Sequence, residues 1–135
     1  MSLFRQIKTQ INDRAVLVSA LKGLGYSPCV GTNLTVRGDR RESASGFEVV
    51  LKKEHTKLKA DMGFKRETDG TFTLGMDTYV IRDFTPQQFM AKVKEAFFVK
   101  KAQKQAASVG LESLSKQVIE RNGRKVIRLQ YVKRG

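Results

Sequence analysis

Apolar residues near the amino end fit two periods at once. Phe4, Ile7 and Ile11 recur at helical spacing, while Ile7, Thr9 and Ile11 recur at strand spacing, so FRQIKTQI stays open between the two. Asn12 and Asp13 follow, either able to cap the orphan amides of a helix start, and Val16, Leu17, Ala20, Leu21 and Leu24 then recur on one face until Gly25. This predicts a short amphipathic helix with a start and a stop signal.

Pro28 and Gly31 break the chain before a strand expected at about Leu34 to Arg37, and GDRRESASG, residues 38 to 46, reads as a polar loop. Phe47, Val49 and Leu51 alternate against Glu48 and Lys52, the pattern of a half-buried strand with those three apolar residues on one face. After a polar stretch from Lys52 to Lys59, MGF and TFTLGM form a pair whose register depends on the turn between them. A two-residue turn at Asp69-Gly70 would put Met62 and Phe64 on the opposite face from Phe72, Leu74 and Met76. A three-residue loop, Thr68 to Gly70 with Gly70 left-handed, pairs Phe64 with Leu74 and Met62 with Met76, and is the one expected.

Tyr79 to Ile81 reads as a brief strand, and Thr85-Pro86 opens a second helix with a capping residue and a proline in its first turn, running to about Ser108 and ending near Gly110. The tail, KQVIER, Asn122-Gly123 and RKVIRLQYV, carries the strongest short-range signal for a two-residue hairpin and sets Val118 opposite Ile127. The order predicts a single α+β domain over residues 1–135, an antiparallel sheet with two helices packed on one face.

On a wheel of about 100° per residue, Phe89, Met90, Val93, Ala96 and Phe97 share an arc of roughly 120°, while Phe98 lies about 180° from Phe89 with Lys94 and Lys101 the nearest lysines. Beyond Phe97 the core-facing positions become Lys100 and Lys104, so the helix end is expected to overhang the sheet, its apolar residues shifting to Val99, Ala102 and Ala106. Two readings of Phe98 stay open. It packs on the hairpin or a second copy, with the lysines solvated, or it stacks a base while the lysines hold phosphates.

Composition bears on the second. Lys and Arg number 26 against 13 acidic residues, a net charge of +13, and the surplus is uneven: residues 86–135 hold 12 basic and 3 acidic side chains. Nucleic acid is the commonest soluble partner of such a surface. In the hairpin, alternation places Arg121, Arg124 and Arg128 on the non-core face, with Arg134 if the strand reaches it; that row suits phosphates or an edge guarded against aggregation. Arg37, Arg40 and Arg41 in NLTVRGDRRES form a third basic group, read as a mobile phosphate clamp or a solvated loop.

Groups for catalysis are sparse. His55 is the only histidine and Cys29 the only cysteine, so no internal disulfide or multi-cysteine metal site exists, and a reducing compartment fits. His55 in its lysine-rich stretch reads as a surface residue and Cys29 as a small buried hydrophobe. Carboxylates are scattered without a DxD or ExxE pair, and no GxxxxGK[ST] phosphate loop occurs. No enzyme, cofactor or metal is expected. With no signal-peptide-like or membrane-spanning apolar run, a cytoplasmic or plastid-stromal protein without membrane attachment is expected.

The opening FRQIKTQINDRAVLVSALKGLGY, the later NLTVRG and DMGF, and the closing order of long helix and basic strand resemble the hypothetical chloroplast reading frame thirty-five family of cyanobacteria and algal plastids. The resemblance implies an α+β fold and a location; it carries no activity, catalytic residue or cofactor. This chain departs from that family in its basicity and its GDRRES loop.

The leading expectation is a non-enzymatic nucleic-acid-binding protein, RNA or a ribonucleoprotein surface ahead of duplex DNA because no helix-turn-helix pattern is present. Lys94, Phe98, Lys101, Lys104, Arg124 and Arg128 would carry it, with Arg37, Arg40 and Arg41 beside them. The alternative is an adaptor docking an acidic protein assembly through Phe98 as a hydrophobic anchor.

Overall fold

The structure is a computed structural model that describes residues 4–39, 42–108, 111–121 and 124–133, the last two segments as backbone only. The ambiguous first segment is a strand, β1 (Phe4–Lys8), pairing with β5 (Phe72–Asp77) so that Ile7 lies opposite Leu74. Helix α1 (Arg14–Gly23) begins where expected, with the Asp13 side chain accepting from the amide of Val16. It ends in a Schellman arrangement: Tyr26 N donates to Leu21 O and Gly25 N to Lys22 O, with Gly25 at a φ of 95° that a residue with a Cβ rarely adopts.

Five antiparallel strands form one sheet in the order β1-β5-β4-β3-β2, with β2 at Cys29–Arg37, β3 at Ser43–Leu51 and β4 at Met62–Arg66. The β4–β5 register is the one that the three-residue loop requires: Phe64 opposes Leu74, Met62 opposes Met76, and Gly70 has a φ of 86°. Parity on both sides of that loop puts Met62, Phe64, Phe72, Leu74 and Met76 on one buried face. There they pack with Val16, Leu17, Ala20 and Leu21 of α1 and with Phe89, Met90, Val93 and Phe97 of α3 (Pro86–Ser108). The two long helices thus share one face of the sheet, and Phe89 stacks on Phe84 with ring centroids 5.5 Å apart.

Several local expectations need correction. Strand β2 starts at Cys29 rather than near Leu34, and β3 starts at Ser43, inside the stretch read as a polar loop. The polar stretch after β3 contains a short third helix, α2 (Lys53–Thr56). Tyr79–Ile81 is not a strand: residues 78–80 form a turn in which Asp77 Oδ1 accepts from Tyr79 N and Asp77 O accepts from Ile81 N, and Ile81 folds into the core.

Phe47 does not share a face with Val49 and Leu51. Val49 and Leu51 face the helices, while Phe47 joins Val36 and Val50 on the far side of the sheet. The change of face coincides with two register shifts in the β2–β3 ladder: between Val30 and Leu34, where β2 has three intervening residues to one in β3 and Asn33 has a φ of 51°, and between Leu34 and Val36, where β3 has two, Ser45 and Gly46, to one in β2. Across that irregular stretch counting by twos along β3 fails.

The Thr85 hydroxyl accepts from Gln88 N and Gln88 Oε1 accepts from Thr85 N, a reciprocal cap at the start of α3. The tail hairpin, β6 (Leu111–Arg121) and β7 (Arg124–Lys133), has the expected register, with Val118 opposite Ile127. It forms its own two-stranded sheet.

Candidate nucleic-acid interface

Helix α3 alone positions four of the expected residues. Because 3.6 residues complete a turn, Lys94 and Lys101 lie one turn before and one turn after Phe98 on the same strip of surface. Adjacent Phe97 is 1% exposed in the core, whereas Phe98 is 48% exposed, its ring meeting Phe97 edge-on at 5.6 Å. The helical period separates the two rings as the wheel requires. Glu95 lies on the same strip, so the surface is not purely cationic.

Beyond Phe97 the helix runs over the start of α1. Ala102 and Ala106 are buried, and the two lysines of that stretch converge on one carboxylate: Lys101 Nζ lies 3.1 Å and Lys104 Nζ 2.9 Å from Asp13 Oδ2. The other oxygen, Oδ1, caps α1. The hydrogen bond from Lys104, aided by the Val16 amide and by Lys101, holds the Asp13 carboxyl well below the usual carboxylate range despite some burial. Sequence reading found both lysines and the cap, but not their meeting.

Arg37 is placed differently. It ends β2, and its guanidinium is committed: Nε donates to Asp61 Oδ2 at 2.7 Å, and one terminal nitrogen donates to Asp61 Oδ1 at 2.9 Å and to Glu54 Oε2 at 2.6 Å. It is therefore not part of a mobile clamp. Asp61, missed in the sequence, also accepts from the amides of Arg37 and Lys53, tying the end of β2 to the start of α2. Its signal was present in KADMGF, one carboxylate between the buried Ala60 and Met62. Arg40 and Arg41 lie outside the described residues. So do Arg134 and the side chains of Arg124 and Arg128, whose backbones in β7 lie opposite Arg121 and Gln117.

Away from α3, a cleft of about 330 Å³ lies beside Cys29, Leu34, Val50, Lys52 and the Arg37–Asp61 pair. Cys29 there is half-buried rather than enclosed, and His55 is exposed on α2. A second cleft, about 430 Å³, lies between Arg5 on β1 and Thr85 at the start of α3. Neither cleft reaches Phe98. Among the described residues no group of three His, Cys, Asp or Glu side chains is placed to hold a metal, and no helix is long and apolar enough to cross a membrane.

No curated protein and no solved structure matches the chain. A family model does match, and residues 20–127 of the 135 place the chain in the family described as protein of unknown function (DUF1257).

Proposed function

We propose that the protein is a non-enzymatic RNA-binding protein that grips single strands on the α3 surface around Phe98, with the arginines of the C-terminal hairpin as further phosphate contacts. The observation that carries this reading is the exposed Phe98 ring standing between Lys94 and Lys101 while its neighbour Phe97 fills the core. A large apolar ring about half exposed beside cations offers a face for an aromatic ligand. Stacking a base on it contributes about 1 to 3 kcal/mol, and each nearby ammonium can neutralise a phosphate. The net charge of +13 supplies long-range attraction for any polyanion.

Within its family we place the chain with the cyanobacterial and plastid members that it resembles, acting in the cytoplasm or stroma. Arg37, held by Asp61 and Glu54, serves the fold in this reading.

Fluorescence anisotropy of a labelled single-stranded RNA tests it. Binding at low salt should weaken steeply as salt rises, and Phe98→Ala should weaken it about 5-fold to 150-fold. Absence of binding at low salt, or binding indifferent to Phe98→Ala and to charge reversal at Lys94 and Lys101, overturns it. Partners captured from a host lysate that survive nuclease treatment and depend on Phe98 would instead identify an adaptor for an acidic assembly.

A further inference from the structure

The Asp13 carboxylate is in direct contact with two lysines of the α3 surface. Its two oxygens have separate tasks. Oδ1 accepts from Val16 N at 3.1 Å and holds the start of α1, while Oδ2 receives both Lys101 and Lys104. The lysines are thus partly neutralised by a group that belongs to the fold, is charged at every physiological pH, and needs no rearrangement of its helix cap to share or yield them.

We infer that Asp13 is a specificity-determining residue for the proposed interface: it discounts pure phosphate attraction at Lys101 and Lys104, so that stable occupancy requires a base stacked on Phe98. This rests on the RNA-binding reading. A duplex offers phosphates but keeps its bases stacked on each other, whereas a single strand offers phosphates together with a free base face. With Lys101 and Lys104 undiminished, any polyanion would be held. With a carboxylate on both, a duplex phosphate meets two cations and one anion, and the aromatic contact decides the outcome. The preferred ligand class is therefore single-stranded nucleic acid with an unpaired base within reach of Phe98. One ammonium has three donors, so Asp13 and a phosphate can be held together; the discount then comes from repulsion between the two anions rather than from displacement.

Asp13→Asn separates the two tasks of the residue, because asparagine caps a helix as well as aspartate does but carries no charge. Wild type and Asp13→Asn are titrated with a single-stranded RNA and with a double-stranded RNA of equal length. The expected result is a wild type that favours the single strand and a variant that gains about fivefold on the duplex at roughly 0.1 M salt, the value of one more neutralised phosphate, with a smaller gain on the single strand. The gain should vanish when Lys101 and Lys104 are also changed to alanine. If wild type binds single strands and Asp13→Asn leaves the ratio between the two RNAs unchanged, the inference fails while the RNA-binding reading stands. It fails likewise if wild type shows no preference, or if the gain survives loss of both lysines. If wild type binds neither RNA, the functional reading fails and takes this inference with it. Thermal melting monitored by circular dichroism verifies that Asp13→Asn is folded.

Discussion

Arg37 and Asp61 meet in a two-pronged pair, Nε to Oδ2 at 2.7 Å and a terminal nitrogen to Oδ1 at 2.9 Å, with Asp61 only 1% exposed and Arg37 reaching solvent. The carboxylate accepts two backbone amides as well, so a buried charge is almost fully compensated by groups from β2 and α2. Removing the guanidinium leaves that charge short of a partner. Arg37→Ala is therefore expected to destabilise the protein by about 2 kcal/mol, less than the roughly 3 to 5 kcal/mol of a broken buried pair because the two amides remain and Arg37 reaches solvent. Urea denaturation measures it; an unchanged midpoint would show that the pair contributes nothing.

The same pair predicts a pH dependence. Burial pushes the Asp61 carboxyl up, but the hydrogen bonds from Arg37 and from the Lys53 and Arg37 amides together outweigh it and hold the group below its ordinary value. A depressed folded-state pKa contributes stability above the unfolded value of about 3.9, and that stability is lost as pH falls through the folded value. Thermal melts of wild type and Asp61→Asn should differ at pH 7 and converge as pH drops below about 4. A gap that stays constant into acid would contradict the assignment. Glu54, lowered to about 2 chiefly by its hydrogen bond with Arg37, titrates in the same acid range.

On the far face, Phe47 lies flat against two glycines of neighbouring strands. A Cβ on Gly75 would come within 2.8 Å of the Phe47 ring, and one on Gly63 within 2.5 Å of Val36 and 2.8 Å of Phe47. Gly75→Ala should destabilise by about 1 to 3 kcal/mol through overpacking, and Phe47→Leu should recover part of that loss. Additive effects of the two changes in chemical denaturation would mean that the ring and the glycine are not in contact.

Phe97 and Phe98 offer a paired contrast. Phe97→Ala empties a core position and should cost about 3 to 5 kcal/mol, whereas Phe98→Ala should leave stability within about 0.5 kcal/mol of wild type. Denaturation curves of the two variants measure this without reference to any ligand. A large loss of stability from Phe98→Ala would mean that the ring is a packing element, and the proposed stacking platform would go with it.

What could be read from residue order was what a few neighbouring residues control. Asp13 caps α1, the Thr68–Gly70 loop sets the β4–β5 register, β6 and β7 pair with Val118 opposite Ile127, and the period of α3 separates Phe97 from Phe98. Each follows from backbone geometry within one turn of helix or one hairpin. The misplacement of Phe47 marks the boundary. Its face changes in the stretch where the β2–β3 ladder is irregular, and alternation within a single strand carries no trace of how its neighbour pairs with it.

The electrostatics lie wholly beyond that boundary. Arg37 finds Asp61 across 24 positions of chain, and Asp13 finds Lys101 and Lys104 across 88 and 91. Composition announced a cationic protein, and helical periodicity announced an aromatic ring outside the core. Which cations already have a carboxylate beside them, and which stay open toward a partner, was set when α3 crossed the start of α1 and β2 closed on α2. Such contacts come from chain segments brought together by burying a shared apolar face, and no local spacing rule encodes the outcome.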